Sequence, residues 1–521
     1  MCIQIRKLFF PKKIQIMNTQ NQSNIAFQRR ADLTFQKRFL ICYLVVYQNR
    51  HGLITDLARK YNVSRKFIYN LRDNFIENSE NYVQKAQFID KQKINKHSLD
   101  FIFKLRLQGK CSIQSISQIL KSENEPNASV GFISETLNRA GSQIGNNLDI
   151  NTDKPLQFVF CCDEIFAKDK PILITVDPLS LTILRIELCE NHKSLSWENF
   201  WTSLISQGYI PLYITKDEGI SMKKAKEIVF QHVNNQSDTF HAVSHRLGLL
   251  RINLEEAAFK AIKFEYECKQ LLDKVKREST ITKRKNIYKE SQIATLQAIE
   301  LYELFAWLYD CLLSCFQNFD NAGNLKNSQQ TIEDFDVALE LFKLLNNNKI
   351  NEQLKRIENC KKDLFYFTKI AKNIVVGLSQ IIDNDILKEL CLAWQLNQNM
   401  IKLKHKPELK HKMERRQNYI LKDVKELLEN EYEIIKNQVY ESLNHIIQSS
   451  ASVECVNSLL RPYLNTCKNQ PSQELLNLFM FYHNHKRFLA GKRKGKTPWE
   501  IATGKKQEKE WLELLLEKIK L

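Results

Sequence analysis

The stretch Phe158-Val159-Phe160-Cys161-Cys162-Asp163-Glu164 is an apolar run closed by carboxylates. A second run, Pro171 to Val176, ends at Asp177, and a third, Pro211-Leu212-Tyr213-Ile214-Thr215, leads through Lys216 to Asp217. Short β-prone runs that each deliver an acid at their C-terminal end predict a buried sheet with a carboxylate site at its edge. A further acid, Glu454, lies far downstream on a helical pattern. Asp163, Asp217 and Glu454 are therefore read as one metal-binding cluster.

Working outward, strands are predicted over roughly 157–164, 171–177, 182–189 and 211–216, with another short one over 239–243. Asp177-Pro178-Leu179-Ser180 suits a tight antiparallel connection. An amphipathic helix from Ser196 to Gln207 carries Trp197, Phe200, Trp201 and Leu204, which read as core. Three hairpin-linked strands, a helix, and a further strand beside the first is an RNase H-like order. Alternation sends adjacent side chains to opposite faces of a strand, so only one of Asp163 and Glu164 can join the cluster. Asp163 is preferred, and Asp217 is preferred over Glu218. Asp177 competes, but its turn context favours a structural role. Asp238, His241 and His245 form a polar group nearby, with His241 a candidate to touch the site.

Upstream, residues 1–35 read as a basic arm, with Met17 an alternative start. In 36–95, Leu57, Ala58 and Tyr61 share a helix face, Asn62 suits a left-handed turn, and Ser64 caps a second helix. That helix would hold Phe67, Ile68 and Leu71 inward and present Arg65, Lys66, Tyr69, Asn70 and Arg72, as a helix-turn-helix recognition helix does. A second such unit is expected over 96–150, capped by Ser129 and stopped at Gly141. Residues 151–245 are the first part of an α/β core, and 246–445 an all-helical insertion with long amphipathic segments, including one from Leu354 to Leu378. Its densest basic stretch runs through Lys402, Lys404, His405, Lys406, Lys410, His411, Lys412, Arg415 and Arg416. Residues 446–521 return to the core. There an apolar stripe (Val453, Val456, Leu459, Leu460) ends at Pro462, and Glu454, Asn457 and Arg461 share a polar stripe.

The fold class expected is thus multidomain α plus α/β: helix-turn-helix units, then an RNase H-like α/β core interrupted by a large all-α insertion. The formal net charge of +18 favours a polyanionic partner, nucleic acid before a membrane surface. Thirteen cysteines show no pairing logic and no CxxC, which suits reduced thiols and a cytoplasmic, nucleoid-associated protein. No apolar run approaches a membrane span, and the first residues lack the apolar core of a signal peptide.

Ser449-Ser450-Ala451-Ser452-Val453-Glu454-Cys455-Val456-Asn457-Ser458-Leu459-Leu460-Arg461 resembles the glutamate helix of DDE-type transposases of bacterial insertion sequences, relatives of retroviral integrases. In that family's helix an Asn and an Arg follow the acid at similar spacing. Phe481-Tyr482-His483-Asn484-His485 and Lys496-Thr497-Pro498-Trp499-Glu500 are similar to the tail of such enzymes. The resemblance covers the N-terminal helices, 155–245 and 446–505; the insertion matches no described one. It implies Asp163, Asp217 and Glu454 as catalytic ligands of two Mg²⁺ (or Mn²⁺) ions, with Asn457 and Arg461 near the DNA phosphate. It also implies double-stranded DNA, as element ends and target, for a partner, and 3′-end cleavage followed by strand transfer. Synapsis of two ends implies a homodimer or a higher assembly. The alternatives are a transposase-derived regulator that binds DNA without catalysis, and an RNase H-like nuclease without strand transfer.

Overall fold

A computed structural model describes residues 32–48, 50–88, 96–150, 155–403 and 406–520. Most of the basic arm, together with Lys404 and His405, lies outside them. The chain divides into two compact units, residues 1–93 and 94–521.

In the first unit, α1 (Phe35–Tyr47), α2 (Leu53–Lys60) and α3 (Arg65–Phe88) enclose a small core of Leu33, Ile41, Leu53, Leu57 and Ile68. The turn between α2 and α3 has the chemistry its sequence asks for. Asn62 takes φ 51°, and the Ser64 hydroxyl accepts the Phe67 amide at 3.0 Å. Arg65, Lys66, Tyr69 and Asn70 are exposed along the start of α3. Arg72 is partly withdrawn: its guanidinium binds Asp73 and lies 5.1 Å from the centre of the Tyr69 ring.

The second unit is mixed α/β and mostly helical, built around a five-stranded sheet of order β3-β2-β1-β4-β5. β1 (Leu156–Ala167) pairs antiparallel with β2 (Lys170–Val176), which pairs antiparallel with β3 (Ile183–Leu188). After α7 (Ser194–Ser206), β4 (Tyr209–Lys216) returns parallel to β1 on its other side. The fifth strand is not the one expected. β5 is Asn235–Ser237, whereas Phe240–Ser244 form a π-helical turn. β5 carries no apolar residue, and its buried Gln236 spends its amide on the Leu364 carbonyl and the Phe367 amide. α8 (Ile220–Val229), between β4 and β5, had no counterpart in the sequence reading.

Alternation along β1 divides the core. Val159, Cys161, Ile165 and Ala167 face one side, against α17 (Ala451–Thr466) and α18 (Gln473–His485). Phe158, Phe160 and Cys162 face the other, against Trp197, Phe200 and Trp201 of α7. The helix pair α5 (Ile113–Ser122) and α6 (Val130–Ile144), with α4 (Lys96–Phe103) before it, packs into the first of these layers rather than around a core of its own. Gly141 does not stop α6. A Cβ there would stand 2.3 Å from the Glu474 carbonyl oxygen, so the glycine is a point of close approach to α18; the helix ends at Gly145, φ 79°. Nor does Pro462 end α17, which runs on so that Tyr463 and Leu464 reach the core.

The helical segment comprises α9 (His245–Asp273), α10 (Glu278–Ser314), α11 (Ser328–Lys343), α12 (Asn348–Leu364), α13 (Tyr366–Leu378), α14 (Asn384–Lys402), α15 (Pro407–Leu428) and α16 (Tyr432–Leu443). The segment expected as continuous from 354 to 378 breaks at Phe365, where Gln236 takes up both backbone groups. Short helices α19 (Pro498–Thr503) and α20 (Trp511–Lys518) close the unit. Two of the basic residues near them are structural. Arg493 donates to the Pro178 and Leu179 carbonyls, and Arg487 to Glu500, Glu510 and the Gln507 carbonyl. Among the described residues no helix is long and apolar enough to cross a membrane.

Two predictions follow from this packing. Gly141→Ala forces α6 and α18 apart against a backbone carbonyl, and should cost about 2–3 kcal/mol in denaturant unfolding. His485, set against Phe481 and Trp499, is pushed down to about 4 by burial despite its hydrogen bond to Gln507. The unfolded chain therefore binds a proton that the folded chain refuses. The stability tied to neutral His485 is present above about pH 6.5 and is lost as pH falls toward 4. Between pH 6.5 and 5 the loss should be roughly 1–2 kcal/mol, and His485→Gln should remove that part of the slope.

Candidate functional site

Three elements converge beside β1. Its pairing with β4 stops at Cys161↔Thr215, while its pairing with β2 continues to Ala167. Asp163 therefore sits within a strand, at the point where the parallel neighbour has ended. Asp217 follows the last residue of β4, and its Oδ1 accepts the Gly219 amide at 2.9 Å. Glu454 is in the first turn of α17, whose Val453, Val456 and Leu460 pack on the odd-numbered face of β1. Asp163 lies on that same face, where Asn457 of α17 reaches it, and Glu164 on the opposite one.

Asp163 is pushed up to about 7, first by burial, with the charges of Asp217 and Glu454 adding to it; the Glu164 amide and His241 pull the other way. Asn457, expected at the DNA, is buried instead, and its Nδ2 donates to Asp163 Oδ2 at 2.8 Å. The Asn457 Oδ1 is buried without a hydrogen-bond partner. Arg461, two turns on, is exposed. The competing acids are occupied elsewhere: Asp177 accepts the amide and hydroxyl of Ser180, and Glu218 accepts the Ser237 hydroxyl.

His241 is brought directly to the cluster, with Nε2 hydrogen-bonded to Glu454 Oε1. Burial lowers its affinity for a proton, but the Glu454 bond and the charges of Asp238, Glu454 and Asp163 outweigh that and raise it above the ordinary histidine value. Its position is set by Asp238, which is 2% exposed. Asp238 Oδ1 accepts the amides of Phe240 (2.7 Å) and His241 (3.0 Å), and Oδ2 accepts the amide (2.8 Å) and hydroxyl of Ser450. Thr239 adds a backbone bond to the Gln448 carbonyl at 3.0 Å. One carboxylate thus holds both the histidine segment and the start of the glutamate helix. The grouping of Asp238 with His241 was visible in the sequence; the Ser450 partner, 212 residues away, was not.

A cleft of about 580 Å³ opens beside the cluster, lined by Asp217, Gly219, Asp238, His241, His245 and Arg246 among others. Among the described residues, no three His, Cys, Asp or Glu side chains are already gathered tightly enough to hold a metal ion. The donor chemistry nonetheless suits a hard divalent cation. Asp163 is near enough to Asp217, Glu454 and His241 to feel their charges, burial is the first cause of its raised value, and the Asn457 oxygen is without a partner. No family model matches the chain, and no curated protein matches it.

The Asp238 clamp can be measured. Asp238→Asn should destabilise the second unit by about 2–4 kcal/mol and Ser450→Ala by about 1–2. In a double-mutant cycle, unfolding free energies should show a coupling of roughly 1–3 kcal/mol. Additive losses would mean that the two residues do not act as one clamp.

Proposed function

We propose that this chain is a DNA transposase with an RNase H-like core of the DDE type, which nicks the 3′ ends of its element and joins them to target DNA. The observation that carries the reading is the electrostatic grouping of Asp163, Asp217 and Glu454, delivered by β1, the end of β4 and α17. An RNase H-like core is supported by the strand order β3-β2-β1-β4-β5, with β1 and β4 parallel neighbours.

Asp163, Asp217 and Glu454 would hold Mg²⁺ or Mn²⁺; two such ions, when bound, supply an activated attacking oxygen and a stabilised leaving oxygen. The chain's own residues account for the rest. Asn457 fixes the Asp163 carboxylate by donating to one oxygen. His241 holds Glu454 and, with its raised proton affinity, can keep a proton beside the acids. Arg461 is exposed along the glutamate helix, where it can meet a phosphate. In the first unit, Arg65, Lys66, Tyr69 and Asn70 form the exposed polar side of α3 that a DNA groove would receive. Lys410, His411, Lys412 and Arg415 on α15 are exposed as a further cationic surface; Arg416 is held by the Asn321 carbonyl.

The alternative, a transposase-derived regulator that binds without cutting, draws on one observation: Glu454 is engaged by His241, and no three ligand side chains are preassembled among the described residues. Cleavage separates the two. Wild type should nick a labelled duplex bearing the end of its own element in Mg²⁺ or Mn²⁺. Asp163→Ala, Asp217→Ala and Glu454→Ala should each lower nicking by at least about a thousandfold, with mobility-shift binding retained. Binding without nicking by wild type would favour the regulator. Nicking that survives any one substitution would remove that acid from the site.

A further inference from the structure

The helices α9 and α10 form a hairpin whose amphipathicity is inverted. Only its base joins the helical core, through Leu247, Leu250 and Leu254 on α9 and Leu301, Phe305 and Leu308 on α10. Beyond that base, the buried positions are small or polar: Ala258, Cys268, Ser291 and Thr295. Many large apolar side chains of the same stretch point outward, while Leu272, Ile281, Ile287, Tyr288 and Ile299 are half-buried. Phe259 is 66% exposed, Tyr266 62%, Leu296 67% and Ile293 57%, with Ile262 also exposed. Ile252, Phe259, Ile262 and Tyr266 recur at steps of seven, three and four, so they line one face of α9. The Thr295 hydroxyl bonds the Ala261 carbonyl, which sets Leu296 and Ile293 of α10 level with them. A helix pair that leaves so many large apolar side chains outside has apolar burial still to make.

The charge along the hairpin says what can cover it. The tip is basic, with Lys274, Lys276, Arg277, Lys283, Arg284 and Lys285. Toward the base, α10 from Ser291 to Ser314 has Glu300, Glu303 and Asp310 and no lysine or arginine, and α9 adds Glu255 and Glu256. Of the cations near the base, Arg251 is taken up by Asp310. The apolar belt lies midway between the two ends. Such a surface is complementary to itself when turned end over end: belt meets belt, and each basic tip meets the other's acidic base. DNA is a poor fit to the belt, which is flanked by acids and lysines alike (Lys260, Lys263, Glu265, Glu267).

We propose that the α9–α10 hairpin is the interface with a second copy of this chain, the two hairpins pairing antiparallel about a two-fold axis through the Phe259–Tyr266 belt. The part of α9 beyond the core is about 30 Å long. A two-helix face of that length buries on the order of 600 Å² per copy, at the low end for a specific dimer. The proposal does not depend on the DNA reaction, and is tested without DNA.

Sedimentation velocity of the full chain over a range of concentrations is the experiment. Wild type should pass from monomer to dimer, and added salt should shift the transition to higher concentration. Phe259→Glu with Leu296→Glu should weaken dimerisation by at least about a hundredfold. Both residues are exposed, so circular dichroism and melting of the monomer should be unchanged. Charge reversal gives an independent arm. Glu300→Lys with Glu303→Lys should weaken the dimer, as should Lys283→Glu with Lys285→Glu. All four together should restore part of it, because the two substituted pairs of positions then exchange signs with each other. A chain that stays monomeric throughout, a dimer indifferent to the belt substitutions, or a fourfold variant no better than its parents would each overturn the proposal.

Discussion

The Asp238 carboxylate is the interaction on which the second unit's arrangement turns. It lies where the chain leaves the sheet for the helical segment, and its partner Ser450 lies where the chain returns. With both oxygens spent on protein donors, the group is buried without an unmet acceptor, the condition for a charge to be tolerated inside a protein. The departure and return of the segment are thereby pinned together. The helical segment is tied to the sheet a second time where Gln236 of β5 bonds the Leu364 carbonyl and the Phe367 amide. The π-helical turn at Phe240–Ser244 belongs to the same joint, since its first two amides are those that Asp238 receives.

Around that joint the site concentrates like charge, and the structure shows how it is moderated. Asp163 is both buried and near two other acids, each of which disfavours its ionisation. Asn457 supplies a neutral donor from the same helix that brings Glu454, one turn further along. His241, its proton affinity raised, is hydrogen-bonded to Glu454. Neither outweighs burial and the two acids, so Asp163 stays raised.

Much of this was legible in the sequence, for reasons that can be named. β1, β2 and β4 announce themselves because strands in a two-sided core are almost continuously apolar, and alternation within β1 allowed only one of Asp163 and Glu164. The α2–α3 turn was legible because Asn62 and Ser64 perform local chemistry that needs no distant partner. What escaped depended on distant partners. β5 is Asn-Gln-Ser, and only the backbone of Leu364 and Phe367 makes Gln236 a core residue. Gly141 looks like a helix stop until α18 is laid against it. Asn457 looks like a surface donor because its stripe is polar, yet its amide is buried against the half-buried Asp163 carboxylate.

The distance along the chain between the clustered groups has a consequence for biosynthesis. Asp163 and Asp217 leave the ribosome with the sheet, but Glu454, Asn457 and Ser450 come only after the whole helical segment. At 5–20 residues per second that delay is on the order of ten to fifty seconds. During it β1 stands without the α17 and α18 cover that buries its odd-numbered face. A nascent or truncated chain can therefore carry a folded α3 helix while its acid cluster is still incomplete. Whatever chemistry the cluster performs is confined to chains that have been finished and folded through to α17.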